Sequence, residues 1–185
     1  MNDHILIGLN RPNLKNDGRH RGDHSAVSKY SVPLFTPPTA VIRPRFCGQL
    51  VKNVRIMTSG SDFTWMVFCA RAVGKLKRMP RKERLTSMGV LLEWLCFYYD
   101  PVTNSVQRSP REMVKECAFT SRRQASQALQ TLEDIEYILR ESNADGSLHI
   151  YFTPALFEAL KIRPDHLRAA RLKAERVQRQ RGTPS

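Results

Sequence analysis

The chain has 185 residues, and Lys plus Arg outnumber Asp plus Glu by 30 to 17, which gives a formal charge of +13 and a pI near 10.1. A chain of this length can bury one substantial core. The positive charge indicates a polyanion as partner and disfavours an average cytosolic enzyme. The longest apolar stretch, around Val90 to Tyr99, falls far below the roughly 20 residues of a membrane span. The N-terminal sequence does not resemble a secretory signal, so we expect a cytoplasmic protein with no membrane partner.

The cysteines and histidines do not have the spacing of a metal site. The four cysteines form no CxxC pair, and we expect all of them to be reduced core residues; they are Cys47, Cys69, Cys96 and Cys117. His20 and His24 could share a helix face, but their segment, NDGRHRGDH, is rich in Gly and Arg and does not predict a stable helix. We therefore expect no metal and no other cofactor.

Composition divides the chain into three parts. Residues 1–44 contain Gly and Pro among scattered charges without helical periodicity, which predicts a flexible N-terminal arm. Residues 45–162 carry the periodic apolar pattern of a domain, and residues 163–185 form a basic C-terminal helix or tail.

Three helices are predicted in the first half of the domain. Two have apolar residues at helical spacing; these are Phe46, Leu50, Val51 and Val54 in the first helix, and Trp65, Phe68, Cys69, Ala72 and Leu76 in the second, after a Ser61/Asp62 cap. The third runs from about Arg81 to Phe97 and ends before Asp100-Pro101.

Two short capped helices follow an extended piece at Ser105 to Gln107. Ser109, Pro110 and Glu112 form a capping box with proline at the first helical position, which predicts a helix to about Ala118. Ser121 and Gln124 repeat the capping pattern at the next helix. Its inward stripe is Ala125, Ala128, Leu129 and Leu132. The spacing of this pair of helices predicts a helix-turn-helix.

A strand hairpin is predicted immediately downstream. Ile138 to Arg140 and Leu148 to Phe152 are strand-like, and Asp145-Gly146 between them is a favoured hairpin turn. Thr153-Pro154 then begins a helix through about Leu160, and a basic amphipathic stretch runs from Pro164 to Arg181. The predicted fold class is mainly α with a small β-hairpin, arranged as a winged helix-turn-helix.

The helix from Ser121 has the outer face of a DNA reader. With its apolar stripe turned inward, the outward residues are polar and carry hydrogen-bond donors; they are Arg123, Ser126, Gln127 and Gln130, flanked by Arg122 and Gln124. Arginine can pair with guanine and glutamine with adenine in the major groove. A polar face on an isolated helix is more often merely solvated, but the neighbouring capped helix, hairpin and basic charge favour DNA binding.

Further basic residues lie around Pro80 and in the hairpin. The cluster of Arg71, Lys75, Lys77, Arg78, Arg81, Lys82 and Arg84 contains one acidic residue, Glu83. Such a run of charges often does no more than keep the junction between two helices exposed to solvent. Because nearly all of its charges are positive, however, it could also bind DNA phosphates as a clamp. The residues that we select for this phosphate clamp are Lys77, Arg78, Arg81 and Lys82. Arg140 and His149 lie on the hairpin strands, and Arg140 is a further candidate DNA contact. The C-terminal set invites the same proposal or is a solvated tail; it comprises Arg168, Arg171, Lys173, Arg176, Arg179 and Arg181.

The sequence does not predict an enzyme. A nicking nucleophile would need a histidine cluster near Tyr98 or Tyr99, and the sequence has none there. A Gly-rich loop ending in Lys-Ser/Thr, which a nucleotide-driven motor would need, is also absent from the sequence.

Several segments resemble the IncFII-type RepA plasmid replication initiators over roughly residues 33 to 175. They are PLFTP, RFCGQL, KLKRMP, LCFYYDPVTNSVQ, QALQTLEDIEYI and IYFTPALFEAL. The chain departs from the family's pattern at Glu136, where members tend to have glycine. Members also continue past the position of Ser185, so the resemblance implies either a shortened initiator or one that has lost an activity.

The resemblance implies a protein that binds duplex origin DNA and brings in host replication initiation and helicase-loading proteins, which contributes to plasmid copy-number maintenance. The alternatives are a winged-helix transcriptional regulator with the same DNA-reading surface and, as a third class, an RNA-binding or ribosome-associated basic protein. Homodimerisation through the helices before Arg81 stays open.

Overall fold

A long helix that is buried on nearly all sides organises the fold. In the computed structural model, which describes residues 35–39, 41, 43–142 and 148–182, α3 spans Lys82–Tyr98. Every residue from Ser87 to Tyr98 is buried. A helix that is buried all round needs neighbours on several sides. Two of them are α1, Arg45–Ser59, and α5, Arg122–Asp134, which both pack against α3.

The remaining elements follow the predicted order closely. They are α2, Asp62–Ala72; β1, Ser105–Arg108; α4, Pro110–Glu116; β2, Ile138–Ser142; β3, Leu148–Phe152; α6, Pro154–Ala159; and α7, Pro164–Gly182. The architecture is therefore mainly helical with a small antiparallel sheet, as the sequence predicts. Within the described residues, no helix is both long and apolar enough to cross a membrane.

The sheet has three strands, one more than the predicted hairpin. Its order is β1-β3-β2, and both pairings are antiparallel. Val106 pairs with Ile150, and Ile138 pairs with Phe152, so four buried apolar side chains stand in two cross-strand pairs. The extended piece after α3 is thus an edge strand of this sheet. The predicted Asp145-Gly146 turn lies outside the described residues.

Capping interactions fix the starts of the helices around the sheet. Ser109 and Glu112 form the predicted capping box at α4, with both reciprocal hydrogen bonds present. The Ser121 hydroxyl accepts from the Gln124 N–H at α5, and the Thr153 hydroxyl accepts from the Leu156 N–H at α6. These local signals are why the sequence predicts the three starts correctly.

The same helices end in left-handed turns without glycine. Ala118, Glu136 and Lys161 have φ of 51°, 63° and 55°. After each one, the next residue donates its N–H to the carbonyl five positions back, as in a Schellman motif. Glu136 is the position at which the resemblance implies glycine, and a positive φ is a conformation that glycine adopts without steric cost.

The described part of the predicted N-terminal arm contacts the core. Phe35 is buried, and its ring centroid lies 5.5 Å from that of Phe97. Arg43 Nε donates to the Phe97 carbonyl at 2.9 Å. The rest of the arm, with His20 and His24, lies outside the described residues.

The packing of α2 differs from the predicted stripe. Phe63 and Val67 face the core, whereas Trp65 and Phe68 are 62% and 45% exposed and stack on each other. Cys69 is exposed too, so its prediction as a core residue is wrong; Cys47, Cys96 and Cys117 are buried as predicted. The reason is that α2 packs mainly on α1, which covers one of its two apolar faces.

Candidate nucleic-acid interface

One groove brings together two basic segments that are about 40 residues apart in the sequence. It has a volume of about 660 Å³ and lies between the segment leading into α3 and the first two turns of α5. From the first segment, Arg78, Arg81 and Arg84 line it; from the second, Arg123, Gln124 and Gln127 do. Four of the twelve lining residues are arginines and one, Glu83, is acidic. The three arginines of the first segment lie across the groove from the N-terminal end of α5, where backbone N–H groups also favour anions.

The exposed face of α5 is the one that the sequence predicts. Ala125, Ala128, Leu129 and Leu132 are buried, as expected for the inward stripe. Arg122, Arg123 and Ser126 are exposed, and their side chains form no hydrogen bond or ion pair within the described part of the chain. These three side chains are therefore available to a ligand.

The glutamines of α5 are held by other protein groups to different degrees. The Gln124 Oε1 accepts from the Thr120 N–H at 3.0 Å, and its Nε2 donates to the Ser87 hydroxyl at 2.9 Å. Both ends of this amide are thus occupied, and the side chain lies against α3. The predicted DNA contact of Gln124, which flanks the outward residues, stays a prediction. The Gln127 Oε1 accepts from Arg84 Nη2 at 3.0 Å, while its Nε2 makes no hydrogen bond to a described residue.

Gln130 and Arg140 form a contact between α5 and β2. Arg140 is ion-paired with Glu133, and its Nη2 also donates to the Gln130 Oε1 at 2.7 Å. The Gln130 Nε2 donates to Asp134 Oδ1 at 2.9 Å. Arg140 therefore connects the hairpin to α5, a contact that the sequence does not reveal. Its predicted role in DNA binding stays a prediction.

Two of the four residues predicted to form the phosphate clamp line the groove, and two do not. Arg78 and Arg81 line the groove, while Lys77 and Lys82 are exposed on either side of them but do not line it. Arg84, which the clamp prediction leaves out, lines the groove as well. Lys75, from the same cluster, is ion-paired with Glu136 at 2.7 Å.

The C-terminal basic set is carried by α7. Arg168, Lys173 and Arg176 are exposed. Arg171 instead donates from Nε to the Pro101 carbonyl at 3.1 Å, which fixes α7 beside the turn that precedes β1. These cations line no part of the groove at α5.

The chain belongs to the IncFII RepA protein family, whose pattern matches residues 24–183. A relative from Escherichia coli named "Replication initiation protein" is 33% identical over 153 residues, which covers 75% of this chain and 54% of the relative. The chain thus spans about half the length of that relative. No solved structure matches it significantly.

Proposed function

We propose that the chain is a plasmid replication initiator that binds duplex origin DNA through the groove between α5 and the 78–84 segment. The family membership supports the initiator role over the alternative of a transcriptional regulator. The observation that carries the DNA-binding proposal is the convergence of Arg78, Arg81 and Arg123 on one groove at the exposed face of α5.

In this proposal, α4, α5 and the β2-β3 hairpin act as a winged helix-turn-helix. α4 and α5 are joined by a short turn, and the hairpin follows directly, which is the order that such a reader requires. α5 enters the major groove with Arg123, Ser126 and Gln127 toward the base edges. Arg78 and Arg81 contact the phosphates beside it, which positions the protein without reading sequence. Arg122, at the start of α5, adds a further phosphate contact.

The proposed protein has no catalytic centre of its own and acts in the cytoplasm, where the plasmid resides. It binds the origin and helps to recruit host replication initiation and helicase-loading proteins, and in this way it contributes to copy-number maintenance. These activities are what the family resemblance implies.

The proposal is tested by plasmid maintenance. A replicon that contains only this gene and its adjacent noncoding DNA should persist in dividing cells. The Arg123→Ala/Gln127→Ala double variant should lose the replicon at normal protein levels, whereas Lys52→Ala, an exposed cation on α1, should keep it. Persistence with the double variant would contradict the proposed DNA-reading face.

We also propose a homodimer through α1 and α2. Ile56, Trp65, Phe68 and Val73 are exposed by 61%, 62%, 45% and 71%. Residues 63–70 carry no charged side chain, so pairing two copies there places no like-charged side chains of this segment against each other. Light scattering should give a dimer for the wild type and a monomer for Trp65→Ser/Phe68→Ser. A monomeric wild type would contradict the proposal.

A further inference from the structure

Two side-chain hydrogen bonds join the first half of α3 to the first half of α5. Arg84 donates to Gln127 at 3.0 Å, and Gln124 donates to Ser87 at 2.9 Å. On each helix the two positions are three residues apart, so both bonds lie on facing surfaces about one turn apart. The inner bond, at Ser87, is made by a buried hydroxyl. The outer bond, at Arg84, lies in the wall of the groove.

The outer bond determines how Gln127 is presented to a ligand. A free glutamine side chain occupies many rotamers, and ordering a long side chain of this kind has an entropic cost. Arg84 holds the amide oxygen toward α3, so it selects one rotamer before any ligand binds. Because a guanidinium can only donate, the amide oxygen of Gln127 must face Arg84 and the amide nitrogen must face away from it. The Gln127 Nε2 donor is thereby oriented in advance.

The geometry points to Arg84 as a positioning residue that determines sequence specificity through Gln127. The inference rests on the proposed DNA-binding function of the groove and assigns Arg84 a role different from that of its neighbours. Arg78 and Arg81 carry equal charge, but neither side chain makes a hydrogen bond to α5 within the described residues. They act as phosphate contacts, which affect all sequences alike. Arg84 acts on the preference for one base pair.

The test compares base preferences of variants on a pool of randomised DNA duplexes. The wild-type chain first selects its preferred duplexes. The base pair at which the Gln127→Ala variant loses its preference is then the position that Gln127 contacts. A bidentate glutamine-base contact corresponds to a preference of about 5- to 150-fold, and because the Gln127 Oε1 already accepts from Arg84, the contact through Nε2 should lie toward the lower end of that range. Arg84→Met keeps the aliphatic stem but removes the donors. It should reduce the preference there by about 3- to 10-fold, with the other positions unchanged.

Three matched variants separate positioning from simple loss of charge. Arg84→Lys keeps a donor for the amide oxygen and should restore much of the preference. Arg81→Met removes the same charge from the same groove and should weaken binding to all duplexes equally. Adding Arg84→Met to Gln127→Ala should cause no further change in preference at the identified position, because the residue through which Arg84 acts is gone.

The outcomes distinguish this inference from the proposed function. If Arg84→Met, with a normal melting temperature, binds every duplex more weakly but keeps the full preference, Arg84 is a phosphate contact and the inference is wrong. If the wild type selects no sequence from the pool, the proposed sequence-specific function fails, and the inference fails with it.

Discussion

Arg140 on β2 is ion-paired with Glu133 on α5, so the hairpin is attached to the helix that carries the proposed DNA-reading face. The two side chains are 21% and 28% exposed, which places the pair between a surface salt bridge and a buried one. Gln130 is a second partner of Arg140 from the same helix. These polar contacts therefore add to the buried side chains that attach β2 to α5.

A double-mutant cycle measures this connection. Glu133→Ala, Arg140→Ala and the double variant should show a coupling free energy of about 1 kcal/mol in urea unfolding. Arg140→Ala should also weaken duplex binding, because the hairpin is then less well oriented. Strictly additive effects of the two single substitutions would show that the pair does not hold the hairpin.

The phosphate clamp predicts a particular salt dependence. Neutralising Lys77, Arg78 and Arg81 together should weaken binding to all duplexes alike, because phosphate contacts are lost. Each lost contact should also reduce the magnitude of the slope of log K against log salt by about 0.9. The control replaces Lys52, Lys161 and Arg163 with glutamine, which removes the same charge away from the groove. Equal slopes for the two triple variants would mean that only net charge matters.

Replacing the left-handed residue after α5 with glycine should stabilise the protein. Glu136 has φ of 63° and an exposed ion pair with Lys75. Glu136→Gly should raise the free energy of unfolding by up to about 1 kcal/mol, because relief of the left-handed strain exceeds the loss of an exposed pair and the added entropy of the unfolded chain.

Glu136→Ala is the matched control for that substitution. It removes the ion pair but keeps a Cβ in the left-handed conformation, so it should not stabilise the protein. Equal unfolding midpoints for the two variants would show that the backbone at this residue is not strained.

The capping box at α4 should make stability depend on pH. The Ser109 N–H, followed by its hydroxyl and Arg108, lowers the pKa of Glu112 below 4.5. A carboxyl whose pKa is lower in the folded state stabilises the protein above its unfolded-state pKa, and this stabilisation is lost as pH falls through the folded-state value. The wild type should therefore be more stable than Glu112→Gln near neutral pH, with a difference that shrinks below about pH 4.5. A difference that does not change with pH would contradict this account.

Signals that are local in sequence predict much of this fold. The capping residues Ser109, Ser121 and Thr153 mark helix starts within one turn, and the stripe from Ala125 to Leu132 fixes which face of α5 is buried. The start and end of α3 are predicted to within one residue. Each of these features depends on neighbours in the chain.

Features that depend on distant residues could not be predicted in the same way. Gln124 and Gln127 have the same polar character as Ser126, and only their contacts with Ser87 and Arg84 reveal that their amides are held. The third strand, β1, depends on pairing with β3, whose residues lie 40 to 46 positions later in the chain. The exposure of Trp65 depends on which helix faces α1 covers. In each case the partner, rather than the residue type, determines the outcome.

Proximity cross-linking tests the central claim, that α5 lies against the bases of duplex DNA. Ser126 is exposed on α5 and can carry a photo-crosslinker as Ser126→Cys in a Cys69→Ser background, where Cys47, Cys96 and Cys117 are buried. Thr64→Cys on α2 in the same background is the control. With a duplex selected by the wild type, the Ser126→Cys variant should cross-link to bases within the preferred site, and the Thr64→Cys variant should not. Cross-links from Thr64→Cys alone, with duplex binding intact in both variants, would contradict the account.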